Sequence, residues 1–91
     1  MIQLSVEVEN LLGLHARAAA KLVRTASRFH SDIHLSRIDA NQRIDSKSIL
    51  GILMLAASRG TCLNFFIEGS DETEAGEAIK TLFKSKFGEK E

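Results

Sequence analysis

Apolar residues recur at every second position in two parts of the chain. Over residues 2–9 every second residue is apolar, and this period of two predicts a β-strand with one buried face. The same alternation over residues 62–68 predicts another strand, which the pair Gly69-Ser70 ends. Weaker signals predict a strand around residues 33–38 and, after a turn at 39–41, a short strand around Gln42–Ile44. The pattern therefore predicts a sheet of four short strands.

Three further segments have the pattern of helices. Residues 16–28 carry apolar side chains at helical spacing and begin with an alanine-rich turn. Ser48 is a good N-cap for a short helix over residues 49–55, although a purely apolar run is also compatible with a buried strand. The last helix has acidic residues in its first turn and lysines at its end, and Asp71 and Glu74 have capping-box spacing. After Phe87 we expect a frayed tail.

The predicted order of elements is β-α-β-β-α-β-α. Because each strand has essentially one apolar face, we expect the helices to cover one face of the sheet and water to contact the other. The fold class is then α+β, an open-faced β-sandwich with a four-stranded antiparallel sheet and three helices on one face. With 91 residues and no internal repeat or linker, we expect a single domain over residues 1–91.

Composition argues against several classes of function. The 12 Lys and Arg residues balance the 12 Asp and Glu residues, whereas a nucleic-acid-binding protein is usually basic. An RNA-binding α+β domain would also need stacking aromatics on basic strands, and most Phe residues lie at predicted core or helix positions. No apolar run could span a bilayer and the single cysteine, Cys62, has no internal partner, so we expect a cytoplasmic protein without membrane insertion. His30 and His34 lack a third ligand, so no metal site is predicted.

A histidine stands where the first helix is predicted to begin, in the stretch Gly13-Leu14-His15-Ala16-Arg17. The first N–H groups of a helix lack intrahelical partners and, together with the helix dipole, bind anions. Arg17 adds charge-assisted donors suited to phosphate, and a histidine can carry a covalent group. The stretch therefore predicts a site that accepts a phosphoryl group on His15. The alternative, from these residues alone, is that His15 is a polar loop residue beside a helix cap.

A second motif, Lys47-Ser48-Ile49-Leu50-Gly51, precedes the predicted second helix. The two motifs at this separation resemble the HPr family, the histidine-containing phosphocarriers of the bacterial phosphoenolpyruvate-dependent phosphotransferase system. The resemblance extends over nearly the whole chain. It implies an open-faced β-sandwich of four strands and three helices, which matches the order that the hydrophobic pattern predicts.

The resemblance also implies a function and the residues that perform it. His15 is expected to accept a phosphoryl group from Enzyme I, which takes it from phosphoenolpyruvate, and to pass it to an Enzyme IIA-type protein for sugar uptake or regulation. Arg17 and the backbone N–H groups of Ala16, Arg17 and Ala18 are expected to stabilise the phosphate. Neither a cofactor nor a metal ion is expected. The chain would be a carrier with a phosphohistidine intermediate, not an enzyme that works alone.

The family's surface for partner proteins lies around the histidine and the second helix, and it corresponds here to Ala16, Ala20, Ile49, Leu50 and Leu53. For the last three residues the alternative is core packing. Because a short helix cannot bury every side, we expect those three to form an exposed apolar patch and Ile52 and Leu55 to enter the core.

Members of the family can carry a regulatory phosphoserine before this helix, and Ser48 occupies that position. The alternative is that Ser48 serves only as the N-cap. The helix dipole would tolerate a phosphate on Ser48, and its charge beside the apolar patch is expected to weaken docking of the phosphoryl donor. A serine kinase or phosphatase and transcriptional regulators are therefore further candidate partners. A small carrier that docks to several partners is expected to be a monomer.

One position departs from the family pattern. Ala18 stands where the family usually has proline, and it restores a backbone N–H, so we expect this donor to help bind the phosphoryl group or to replace lost rigidity. The stretches 53–55 and 81–87 look more like the nitrogen-related branch of the family than the sugar-transport branch. An alternative function is a regulatory docking module, in which partner proteins read the phosphorylation state with little onward transfer.

Overall fold

The chain folds in the predicted order of elements, as described by a computed structural model of residues 1–89. In chain order the elements are strand β1 (Ile2–Glu7), helix α1 (Ala16–Ser27), strand β2 (Asp32–Arg37), strand β3 (Ile44–Asp45), helix α2 (Ile49–Met54), strand β4 (Cys62–Glu68) and helix α3 (Glu72–Lys84), followed by a 3-10 turn over Lys86–Gly88. The α+β class is confirmed. Two strands differ most from the prediction. Strand β1 ends at Glu7 and not at residue 9, and β3 lies later in the chain than predicted and pairs only at Ile44 and Asp45.

The sheet is antiparallel throughout, with the strand order β1-β4-β2-β3. In the central strand, Phe65 lies opposite Leu4 of β1 and Leu35 of β2. These apolar side chains share the face that the helices cover, because successive residues of a strand point to opposite faces. On the other face the Ser5 hydroxyl donates to Asn64 Oδ1 at 2.7 Å. One face is therefore apolar, and the other is mainly polar apart from Phe66, which is half-buried with the Arg43 guanidinium carbon 3.6 Å from its ring centroid.

The core lies between this apolar face and the helices. Leu22 of α1, Ile52 of α2 and Ile79 of α3 are all fully buried, so every helix contributes to it. The rings of Phe65 and Phe83 meet edge to face with their centroids 5.6 Å apart, which joins the sheet to α3. Each such buried side chain stabilises the fold by roughly 1.5–3 kcal/mol relative to an exposed one.

The predicted capping box at the start of α3 is wrong. The carboxylate of Asp71 accepts hydrogen bonds from the N–H groups of His30 and Ser31, at 2.8 and 3.0 Å, and from the Ser31 hydroxyl at 2.5 Å. The Ser31 hydroxyl, followed by the His30 N–H, lowers the pKa of Asp71 to about 2. Asp71 therefore ties α3 to the connection between α1 and β2. A local spacing rule cannot anticipate donors that come from another part of the chain.

The tail predicted to fray after Phe87 is instead folded back as far as Glu89. Phe87 adopts a positive φ of 58°, yet its side chain is 1% exposed and its ring centroid lies 4.9 Å from that of Phe83. Lys86 also has a positive φ, 56°, and the burial of Phe87, worth roughly 1.5–3 kcal/mol, offsets much of the cost of about 1–2 kcal/mol for each of these two left-handed residues. Residues 90 and 91, the rest of the predicted tail, lie outside the described residues.

Candidate functional site

A tight loop places His15 at the start of α1. Gly13 has φ of 68°, in the left-handed region that favours glycine, and a Cβ at this position would lie 2.6 Å from the carbonyl oxygen of Ala57. The next residue, Leu14, donates its N–H to the same oxygen at 2.9 Å and buries its side chain. The loop is thus fixed against the segment that precedes β4, and the direction in which the chain enters α1 is fixed with it.

The imidazole of His15 caps the helix. Its backbone is extended, with φ −72° and ψ 178°, and its Nδ1 accepts a hydrogen bond from the N–H of Arg17 at 3.3 Å. Its carbonyl oxygen accepts the first intrahelical bond, from the N–H of Ala19 at 2.8 Å. Asp, Asn, Ser or Thr usually occupies such a position. Because Nδ1 accepts this bond, the lone pair of that nitrogen points to the unpaired N–H groups and the positive end of the helix dipole.

The other ring nitrogen of His15 contacts the C-terminal segment. Nε2 pairs with Oε2 of Glu89, while Oε1 of the same carboxylate accepts a hydrogen bond from Asn10 Nδ2 at 3.1 Å. The side chains of His15 and Glu89 are 27% and 14% exposed. Partial burial raises the pKa of Glu89, but the hydrogen bonds from His15 and Asn10 outweigh it, so that its pKa lies below the usual range. Glu89 is therefore a carboxylate at neutral pH.

Sequence reasoning missed Glu89 entirely. It lies 74 residues from His15, and its contact depends on the 3-10 turn that folds the chain end back. Lys21 of α1 holds this turn by donating from Nζ to the carbonyl oxygen of Phe87 at 2.5 Å. The available signal was Phe87 itself, an apolar residue one helical turn beyond Phe83. It indicates that the buried stripe of α3 continues past the end of the helix.

The residues expected to stabilise a phosphate differ in exposure. Ala16 and Arg17 are exposed, and Ala18 is fully buried. Ala20, which was predicted only for the partner surface, is half-buried. Within residues 1–89 the guanidinium of Arg17 makes no hydrogen bond or ion pair, so its donors can serve a ligand. Arg17 lines a shallow pocket beside the imidazole together with Lys21 and Glu89.

The residues predicted as a partner-binding patch lie on the exposed side of α2, which packs against α1. Their exposed fractions run from 38% for Leu53 through 39% for Ile49 to 71% for Leu50. On the opposite side Ile52 is fully buried and Leu55 is 9% exposed, so the prediction of which residues enter the core is confirmed.

Further apolar side chains in this region, which sequence reasoning did not name, are also exposed. Met54, at the end of α2, is 80% exposed, and Leu12, in the loop before His15, is 68% exposed. Leu12 also lines the pocket beside the imidazole. The available signal was their position in the sequence. Met54 follows Leu53 on the short helix α2, and Leu12 lies in the short loop before His15, and neither segment can bury all of its side chains.

Ser48 is an exposed N-cap. Its hydroxyl oxygen accepts a hydrogen bond from the N–H of Gly51 at 3.2 Å, which confirms the predicted cap of α2. The neighbouring hydroxyl of Ser46 is fully buried. Of the two serines in this segment, Ser48 is therefore the one that a modifying enzyme can reach.

Residues 1–89 contain neither a metal-binding cluster nor a membrane-spanning helix. In that range no group of three or more His, Cys, Asp or Glu side chains is arranged to hold a metal ion. His30 is exposed just after α1, and His34 is half-buried within β2. None of the helices in the described part of the chain is long and apolar enough to cross a membrane.

Comparison with known families identifies the chain. The model described as "PTS HPr component phosphorylation site" matches residues 2–85. The chain belongs to the HPr family. Phosphocarrier protein HPr of Neisseria meningitidis serogroup A is 44% identical over 91 residues, which cover 100% of each chain. Phosphocarrier protein HPr of Xylella fastidiosa (strain Temecula1) is 45% identical over 89 residues, or 98% of each chain.

Solved HPr structures share the fold. The crystal structure of HPr-C-His from Thermoanaerobacter tengcongensis gives a TM-score of 0.93 at 43% identity, covering 100% of both chains. An HPr dimer from the same organism gives a TM-score of 0.76 at 44% identity, covering 98% of this chain and 100% of that chain. The open-faced sandwich of the HPr family is therefore confirmed. This chain is a phosphocarrier of the phosphotransferase system, and the comparisons do not favour the docking-module alternative.

Proposed function

We propose that this HPr-family protein carries a phosphoryl group on Nδ1 of His15, accepts it from Enzyme I and passes it to an Enzyme IIA-type protein. The observation that carries the proposal is the capping geometry, in which Nδ1 accepts the Arg17 N–H at 3.3 Å. A phosphoryl group on Nδ1 would lie at the start of the helix and would replace the ring nitrogen as acceptor for its N–H groups. The exposed guanidinium of Arg17 adds charge-assisted donors from the side.

The transfer step needs only groups that this chain and its partners supply. The Nδ1 lone pair forms the N–P bond while the bond from phosphorus to the donor breaks, and that electron pair leaves with the donor. Passing the group to an acceptor reverses these events on this chain. The N–H groups of Ala16 and Arg17 favour the phosphorylated state electrostatically. Ala18, as the third proposed donor, contributes only when its N–H, fully buried in this conformation, is uncovered.

The proposal assigns docking of both partners to Ala16, Ala20, Ile49, Leu50 and Leu53. This assignment is supported by the exposure of the apolar patch on α2, which packs beside α1, the helix that His15 caps. A phosphate on the exposed Ser48 would bring negative charge to this patch and would weaken docking, which gives a serine kinase or phosphatase a means of control. Three further points stay predictions: the protein acts as a monomer, transcriptional regulators are among its partners, and it belongs to the nitrogen-related branch.

The test is to incubate the protein with phosphoenolpyruvate and the Enzyme I of the same organism and to measure its intact mass. We expect the wild type to gain one phosphate that brief acid treatment removes, and His15→Ala to gain none. His30→Ala is the matched control, because it removes an exposed histidine just beyond the other end of α1. A folded wild type that gains no mass beside an active Enzyme I would contradict the proposal, and so would a phosphate on His15→Ala.

A further inference from the structure

Glu89 meets His15 on the side of the ring that the proposed phosphoryl site leaves free. Nδ1 faces the start of α1, and Nε2 faces the Glu89 carboxylate. The two contacts give the two nitrogens different environments, one beside helix N–H donors and one beside an anion. A nitrogen beside a carboxylate acts as a donor, so the ring proton belongs on Nε2 and the lone pair on Nδ1.

We propose that Glu89 is a positioning residue for phosphoryl transfer, which holds the proton on Nε2 of His15 while Nδ1 gains and loses the phosphoryl group. The inference rests on the proposed function of His15 and extends it to the C-terminal segment.

The charge on the ring changes during transfer, and Glu89 is placed to respond to that change. When Nδ1 forms the N–P bond, the donor keeps the electron pair of the bond that breaks, and the ring gains a formal positive charge while Nε2 keeps its proton. An adjacent carboxylate stabilises that charge. When an acceptor attacks phosphorus, the N–P pair returns to Nδ1. A ring that still carries its Nε2 proton then departs neutral instead of as an imidazolate, which makes it the better leaving group.

Asn10 explains why a carboxylate suits this position and an amide does not. Oε1 of Glu89 accepts from Asn10 Nδ2 and Oε2 faces Nε2 of His15, so both oxygens receive a donor. A glutamine has one oxygen and would turn an NH2 group toward one of these donors. Asn10 is fully buried and also donates to the Gly13 carbonyl oxygen at 2.7 Å, so it cannot easily turn away.

The other charges around the ring oppose a positive imidazole. Arg17 and Lys21, both from α1, line the pocket beside His15, and Glu89 is the single acidic residue among the described residues that line it. Lys21 also fixes the turn that carries Glu89, through its 2.5 Å bond to the Phe87 carbonyl oxygen. With Phe87 buried, the carboxylate is held in place by the core and does not depend on a free chain end.

The experiment measures how fast phospho-His15 loses its phosphate as a function of pH, in wild type, Glu89→Gln and Glu89→Ala. Because an adjacent carboxylate stabilises the positively charged ring, removing its charge should lower the midpoint of the pH profile in both variants. Glu77→Gln, which removes the same charge from an exposed site on α3, should keep the wild-type profile. Thermal unfolding of each variant shows whether it is folded, and the Ala variant serves if the Gln variant is not.

A second readout needs no phosphate. The 15N chemical shifts of the ring should give Nε2 as the protonated nitrogen in wild type and a mixture of tautomers in Glu89→Gln. If all the proteins are phosphorylated and lose their phosphate with identical pH profiles, this inference alone is overturned. Faster phosphorylation of both Glu89 variants would also overturn it alone, because it would mean that the carboxylate only obstructs the ring. A wild type that cannot be loaded would overturn the proposed function and this inference together.

Discussion

Substituting Gly13 by alanine tests whether the loop against Ala57 holds His15 in place. An added Cβ would lie 2.6 Å from the carbonyl oxygen of Ala57 and 2.9 Å from Cα of Ser58. Both neighbours are backbone atoms, so no change of rotamer relieves the contact. The loop would have to move away from the segment that precedes β4, and the 2.9 Å hydrogen bond from Leu14 to Ala57 would lengthen.

Three costs contribute to the expected loss of stability. Alanine in the left-handed region costs about 1–2 kcal/mol, partly offset by about 0.4–1 kcal/mol from the stiffer unfolded chain. Overpacking against backbone adds about 1–3 kcal/mol. The strained hydrogen bond adds about 1 kcal/mol. We therefore expect Gly13→Ala to lower the free energy of unfolding by about 2–5 kcal/mol, a large part of the roughly 5–15 kcal/mol that stabilises a typical domain.

Gly60→Ala is the matched control. Gly60 also has a positive φ, 91°, but within the described part of the chain nothing lies within 4 Å of an added Cβ. We expect it to lose only about 1 kcal/mol, the backbone share of the cost. Urea unfolding of the two variants measures the difference. Under conditions where both are folded, Gly13→Ala should also accept phosphate at least about tenfold more slowly, because the ring is displaced. Equal losses of stability would refute the reasoning.

Three other predictions follow from individual contacts. The pKa of Asp71 is lowered from 3.8 to about 2, so its contribution to stability is complete above pH 3.8 and is lost as the pH falls toward 2. Chemical denaturation should therefore show Asp71→Asn to be less stable than wild type at neutral pH, and the difference in free energy of unfolding should shrink as the pH falls from 3.8 toward 2. A difference that persists at pH 2 would argue against a charge effect. Ser48→Asp should be phosphorylated by Enzyme I more slowly than Ser48→Asn, which keeps a cap without the charge, and equal rates would count against regulation at this position. Ala18→Pro should fold, because proline is tolerated in the first turn of a helix, and should shorten the lifetime of phospho-His15 by up to about tenfold; an unchanged lifetime and transfer rate would dismiss the Ala18 N–H as a donor.

The parts of this molecule that sequence predicts are those whose cause is local. The alternation over residues 62–68 identifies the central strand because one face of β4 must be apolar, and the helical spacing over 16–28 identifies α1 for the same reason. His15 and Arg17 lie within one turn, so the helix start itself brings them together. The exposed side of α2 was predictable because a helix of six residues has one side to bury.

The parts that sequence does not predict depend on tertiary contacts. Asp71 had a plausible local partner in its own helix, but the donors of His30 and Ser31 compete successfully for its carboxylate. The contact between Glu89 and His15 requires that a turn with left-handed residues fold back onto α1. That turn forms because Phe87 is buried beside Phe83. The helical spacing of Phe87 from Phe83 indicates this burial, but it does not predict the left-handed backbone that turns Glu89 toward His15.

A phosphocarrier must both accept a phosphoryl group, here on His15, and give it away. The most direct measurement is to load the protein with phosphoenolpyruvate and Enzyme I, remove both, add the Enzyme IIA-type protein of the same organism and follow the intact masses of the two proteins. We predict that the mass of one phosphate leaves this chain and appears on the acceptor. A loaded protein that keeps its phosphate beside a folded acceptor of proven activity would contradict the account and would leave a protein that is phosphorylated but does not act as a carrier.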